Sequence, residues 1–252
     1  METTALAAWL NSTFYAYDHA VLGFLHEVAE HAGGVLTPLM KLVTLLGEKA
    51  ALLILASLIL MLFAETRRTG VCMFGAIACG TIITSILLKD MVARLRPFEA
   101  AELYRSWWMA VGAPAEDGFS FPSGHMTGAV AGLAALCMTQ GRRWIVPSFL
   151  WVSLMGISRN YLMAHYPSDV LFGALAGFVA ALIAYAITRL IFTLLEDHDD
   201  VPFCAFVLDY NLPLGRRGDP EPPQAESVRV ETPVHREKEP APTGYVGKHL
   251  KK

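Results

Sequence analysis

Five uncharged apolar runs, at residues 50–64, 71–88, 126–140, 144–158 and 170–188, restrict this chain more than any other feature. A surface helix of a soluble protein keeps a polar stripe, and these runs have almost none. Crossing a bilayer takes about 20 residues of helix, so the shorter runs must extend past their uncharged cores. Lys49 and Arg67 are placed to snorkel at the ends of the first. With 54% hydrophobic and only 17% charged residues, the chain lies outside the range of ordinary soluble domains. The expectation is all-α: a multi-pass transmembrane helical bundle of five spans. A sixth candidate, at 35–46, is interrupted by Lys41.

The flanks read differently. In residues 1–47, apolar positions alternate with Asp18, His19, His26, Glu27, Glu30 and His31. That pattern predicts interfacial amphipathic helices, broken at Gly33, Gly34 and Pro38. The start, METTALAAWLNST, lacks the basic and apolar regions of a cleavable signal, so insertion is assigned to the internal spans. Residues 48–195 form the expected transmembrane catalytic domain, and 196–252 a cytoplasmic polar tail. From 213 onward the tail is rich in Pro, Glu, Lys and Arg, a composition that builds no core and predicts disorder. Cys72, Cys79 and Cys137 sit inside apolar runs and form no CxxC pair, as expected of buried structural thiols.

Short basic loops set the orientation. Arg67 and Arg68 fall between the first two runs, Arg142 and Arg143 between the third and fourth. The positive-inside rule places both in the cytoplasm, with the C-terminus. Loops 89–121 and 160–169 are then extracytoplasmic. Their cations, Lys89, Arg94, Arg96, Arg105 and Arg159, run against the rule and require a reason. For Arg94 and Arg105 the simple reason is an interfacial position. Tyr104, Trp107 and Trp108 suit an aromatic belt, and Glu99, Glu102, Glu116 and Asp117 a solvated loop surface.

Three segments at the outer ends of the spans carry the chemistry: KDMVARLRP at 89–97, PSGH at 122–125 and SRNYLMAHYPSD at 158–169. Lys89 and Arg96 are seven residues apart and would share one side of a helix. Arg159 adds a third cation. Arginine matches phosphate oxygens with a planar fork, and lysine adds a point charge. Pro122, Ser123 and Gly124 open an apolar run, where Pro suits a helix start and free N–H groups bind anions. His165 has Asp169 four residues on, a carboxylate placed to hold one ring N–H and aim the other nitrogen as nucleophile. His125 is then the general acid. Gly124, Gly128 and Gly132 form one small stripe, Gly173 and Gly177 another, and close helix contact along them would draw His125 toward His165. No metal-ligand spacing or nucleic-acid motif is present in the sequence, so no cofactor is expected.

These segments resemble the type 2 phosphatidic acid phosphatase superfamily, whose motifs read KxxxxxxRP, PSGH and SRxxxxxHxxxD. Every specified position is matched between Lys89 and Asp169. The resemblance implies that Lys89, Arg96, Ser123, Gly124 and Arg159 bind phosphate, that His165 is the nucleophile oriented by Asp169, and that His125 is the acid/base. It implies a helical bundle in the cell membrane with metal-independent activity on a lipid phosphate or diphosphate. The compact form is similar to bacterial undecaprenyl diphosphate phosphatases, which favours that lipid. A phosphatidylglycerophosphate or phosphatidic acid phosphatase is the alternative within the family. A phosphotransferase and a non-catalytic lipid-diphosphate binder are the alternatives outside it.

Overall fold

The computed structural model describes residues 4–114 and 116–213. The disorder expected beyond Pro213 lies outside the described residues. Nine helices of eight residues or more make up this part: α1 Ala5–Thr13, α2 Tyr15–Leu46, α3 Ala51–Met61, α4 Ala64–Thr81, α5 Glu102–Val111, α6 Gly124–Gln140, α7 Ile145–Tyr161, α8 Pro167–Glu196 and α9 Pro202–Asp209. No strand occurs among the described residues. Contacts gather the helices into one compact unit that ends at Leu212.

At its centre α4, α6 and α8 pack against each other. Their shared core is small residues around one methionine: Cys72, Met73 and Ala76 from α4, Ala131 and Ala135 from α6, Ala180, Ala181 and Ala184 from α8. Small side chains let helix backbones approach closely, which drives association where lipid is as apolar as the helix surface. Leu55, Phe149, Leu171, Leu175 and Leu190 point outward, each more than half exposed. A membrane protein inverts no rule by doing this, because hydrocarbon is its solvent.

Among the described residues, three segments are long and apolar enough to cross a bilayer: Tyr15–Met61, Ala64–Ala100 and Pro167–Glu196. The first turns at Lys49 and Ala50, both in left-handed conformation (φ 49° and 54°). Helices α6 and α7 match the expected runs at 126–140 and 144–158 with 17 residues each. At ~1.5 Å per residue they reach about 25 Å, shorter than the ~30 Å hydrocarbon core.

The N-terminal segment departs from expectation. Helix α2 runs unbroken through Gly33, Gly34 and Pro38. Tertiary contact overrides the local signals. The Thr37 hydroxyl bonds Tyr161 Oη at 2.8 Å, and Ser158 Oγ donates to the Met40 carbonyl at 2.7 Å, so α7 supports α2 over the weak stretch. Arg67 also departs. Instead of snorkelling it is buried, donating to the carbonyls of Val207 (2.6 Å) and Leu208 (3.1 Å) at the end of α9. The beginning of the expected polar tail is therefore helical and tied to the α3–α4 corner.

The glycine stripes act separately. A Cβ on Gly173 would stand 2.7 Å from the Ser123 carbonyl oxygen, and one on Gly177 2.5 Å from that of Thr127. The stripe on α8 therefore seats the start of α6. Gly128 and Gly132 on α6 face elsewhere, toward Ala50, Leu53 and Ile77. Overpacking such a contact costs ~1–3 kcal/mol. Gly177→Ala should destabilise the detergent-purified protein by that amount and lower its thermal unfolding temperature, whereas Gly34→Ala, with open space around its Cβ, should not lower it.

Candidate active site

The end of the bundle opposite Arg68 and Gln140 is closed by the two connections between α4 and α6 and between α7 and α8. After Thr81 the α4 helix widens into a π-helical stretch, Ile82–Leu88, and ends in one α-turn, Lys89–Val92. Such bulges shift the phase of the residues after them and are frequent at functional sites. Ala93 then turns left-handed (φ 50°), and Arg96 lies in extended backbone. The single helix expected to carry Lys89 and Arg96 on one side is thus absent. They converge because the chain reverses between them, and both line one cavity of about 840 Å³.

His125, His165 and Gly124 line the same cavity. Gly124 is the first residue of α6, so its N–H belongs to the turn that a helix leaves without internal acceptors. Ser123 is different: it is fully buried, and its N–H donates to the Asp169 carbonyl at 3.1 Å. Arg159, also fully buried, lies beyond Glu116 and donates to its carboxylate.

His165 is 2% exposed, and its ring is fixed by a main-chain group. Nδ1–H donates to the Ser120 carbonyl at 2.7 Å, which leaves the Nε2 lone pair facing the cavity, 3.5 Å from Arg96 Nη1. The expected direct bond to Asp169 is not made: the nearest carboxylate oxygen is 3.9 Å from Nδ1. Asp169 acts one step removed. Its Oδ2 accepts from the Ser120 hydroxyl and from the Tyr166 N–H, the latter at 3.0 Å, and so holds the segment that presents the carbonyl. His125 Nε2 is buried with no hydrogen-bond partner among the described residues, and Glu48 Oε2 is 3.6 Å away.

Sequence reasoning assigned Arg94 to the interface, and the structure buries it completely. Its Nη2 pairs with Asp18 at 2.9 Å, its Nη1 with Asp169 at 2.6 Å and Ser168 at 2.8 Å, and its Nε with Asn11 at 2.8 Å. The guanidinium also lies over the Tyr166 ring, 3.9 Å from its centroid. Asp18 accepts in turn from the Ser168 N–H and hydroxyl. Helices α1 and α2 thereby reach the start of α8, just after His165. An Arg two positions before the Arg-Pro pair was the available sequence signal, but its partners lie 76 and 75 residues away. Arg105 is exposed, as an interfacial residue would be.

Glu116 also differs from expectation. It is no solvated loop carboxylate but bridges Arg96 Nη1 (2.9 Å) and Arg159. Burial would raise its carboxyl, yet the two guanidiniums outweigh burial and hold it below its usual value. Burial, then Arg159, Arg96 and Lys89, push His125 down to about 4. Burial and the same arginines push His165 well below the usual imidazole value. Both rings are neutral at pH 7 before an anion binds, the form a nucleophile requires. An arriving phosphate dianion counters the cations and favours a proton on His125.

Such a site has recognisable relatives. The PAP2 superfamily model matches residues 69–192. Undecaprenyl-diphosphatase BcrC of Bacillus subtilis (strain 168) is 30% identical over 173 residues, which are 68% of this chain and 83% of that protein. The chain belongs to the PAP2 superfamily. It spans about half the length of several other curated relatives that it matches. One is the lipid A 4'-phosphatase of Bacteroides thetaiotaomicron, 30% identical over 118 residues, 46% of this chain and 52% of that one. The PAP2 fold is also that of a solved phosphatidylglycerolphosphate phosphatase from Bacillus subtilis, with a TM-score of 0.58 at 23% identity over 74% of this chain and 92% of the other.

Removing one partner of a buried, hydrogen-bonded charge pair costs ~3–5 kcal/mol. Asp18→Ala and Arg94→Ala should each destabilise the protein in that range by thermal or denaturant unfolding. Arg105→Ala should stay within ~0.5 kcal/mol. A silent Arg94→Ala would return that residue to the interface.

Proposed function

We propose that the chain is a membrane lipid phosphatase that passes a phosphoryl group to His165 and then to water. One observation carries this reading: the buried His165 ring, fixed at Nδ1 by a carbonyl, aims a neutral Nε2 into a cavity beside Arg96 and the unpartnered His125 Nε2. In the first step His165 Nε2 forms a bond to phosphorus while the bond from phosphorus to the lipid-side oxygen breaks. That oxygen takes a proton from His125. In the second, water attacks phosphorus, the P–N bond breaks, and His125 takes the proton of the water. Lys89, Arg96 and Arg159, with the first N–H groups of α6, stabilise the charge spread over the phosphoryl oxygens. Asp169 and Ser123 keep the nucleophile's segment and the start of α6 in register.

The substrate is a lipid diphosphate, undecaprenyl diphosphate. Two things support it: the name of the BcrC relative, and the continuation of the cavity past Thr84 and Thr81 to Ile77 and Ile54, an apolar arm suited to a lipid tail. Membrane orientation follows from charge. Arg68 pairs with Glu196, and Gln140 beside Arg142 bonds Thr69, so both basic loops lie at the end of the bundle away from His165. With that end cytoplasmic, the site opens extracytoplasmically.

Phosphate release by the purified protein in detergent, with EDTA present, tests the chemistry. Undecaprenyl diphosphate should be turned over faster than phosphatidylglycerol phosphate or phosphatidic acid. His165→Ala should lose at least about four orders of magnitude, as removal of a nucleophile does elsewhere. Activity retained by that variant would end the proposal, and a different preferred lipid would change the substrate. Orientation is read separately: a membrane-impermeant thiol reagent applied to intact cells should modify Glu102→Cys and spare Arg142→Cys, and the reverse pattern would invert the topology.

A further inference from the structure

The cation pocket already holds an anion of the chain's own. Glu116 sits in it, with one carboxylate oxygen on Arg96 and the other on Arg159. Those are the groups a phosphoryl oxygen would use. Arg96 has few donors to spare. Its Nε donates to the Gly118 carbonyl at 2.9 Å, its Nη2 to the Asp117 carbonyl at 3.0 Å, and its Nη1 to the Ala164 carbonyl at 2.9 Å as well as to Glu116. Of these acceptors only the Glu116 carboxylate is a side chain, and at 22% exposure it has a path out to solvent. It is carried on the loop between Gly112 and Gly118, both at positive φ (55° and 74°), whose sharp turns bring it back over the arginines.

We propose that Glu116 is a tethered competitor for the phosphate site, which sets the threshold an anion must exceed to occupy it. This rests on the reading of the pocket as the phosphoryl site. A carboxylate attached to the chain competes at a fixed, high effective concentration. Every anion must displace it, so every dissociation constant is raised by one common factor. The ratio between two ligands does not change, but their occupancies do. A bilayer surrounds the site with phosphodiester lipids, each carrying one negative charge at most on the phosphate. Exchanging one such charge for that of Glu116 gains nothing in Coulomb energy against Lys89, Arg96 and Arg159. A terminal phosphate carries about half to one charge more at neutral pH, a diphosphate more again, and both still gain. The common penalty thus keeps abundant diesters below occupancy while leaving terminal phosphates bound. It also aids departure of inorganic phosphate, because the carboxylate returns as the product leaves.

Calorimetric titration of the full chain in detergent tests this without any need for turnover. The probes are inorganic phosphate and dihexanoylphosphatidylglycerol, a soluble monoanionic diester. Glu116→Gln should lower both dissociation constants by tenfold or more, and by the same factor. Inorganic phosphate should also raise the unfolding temperature of this variant by more than it does that of the wild type. Unchanged or weakened binding in Glu116→Gln would overturn the proposal and make Glu116 a support for its arginines. Should that variant fail to fold, Glu116→Asp, which withdraws the charge by one methylene, should shift both constants the same way by a smaller factor; no shift, or a shift to weaker binding, would overturn it equally. Failure of the phosphatase reading itself is seen elsewhere, as absent turnover with anion binding intact.

Discussion

The Arg94 guanidinium is the constraint on which the site depends. A buried cation must be compensated on all its faces, because desolvation costs more than one partner returns. Here the compensation comes from four places: Asn11 on α1, Asp18 on α2, Ser168 and Asp169 on α8, and the Tyr166 ring beneath. Together the partners tie α1 and α2 to the start of α8. The N-terminal helices are thereby part of the architecture that positions His165, although the superfamily match begins only at residue 69.

A second balance sits beside the first. Lys89 and Arg96 line the cavity, Arg159 lies behind Glu116, and Glu116 offsets part of their charge. Burial together with the cations keeps both histidines neutral, and Glu116 bridges the two arginines. His165, His125 and the cations beside them are thus tuned by the same few charges, so substitution at any one of them alters the others.

Much of this was legible in the sequence. The five apolar runs predict the helices that form, and the three motifs name His125, His165, Lys89, Gly124 and Arg96, all of which line one cavity. The illegible part depends on what lies across the fold. Arg94 and Arg105 look alike along the chain, yet one meets two carboxylates and the other meets solvent. Glu116 reads as a loop acid until the chain reversal brings it over Arg159. The spacing of Lys89 and Arg96 predicts the right neighbours for the wrong reason, because a π-bulge and a left-handed residue replace the helix. Gly33, Gly34 and Pro38 signal a break that α7 suppresses by packing.

The group that aims His165 is a peptide carbonyl. A carboxylate in that place could be protonated or exchanged by a single codon change, and the ring would be free to flip. The Ser120 carbonyl has neither weakness: it does not titrate, and no substitution at position 120 short of a backbone rearrangement deletes it. The tautomer of His165 is therefore insulated from acidity and from point mutation at its own partner. What can still disturb it is the frame around it, the buried Asp169, Arg94 and Asp18 that hold the segment presenting the carbonyl.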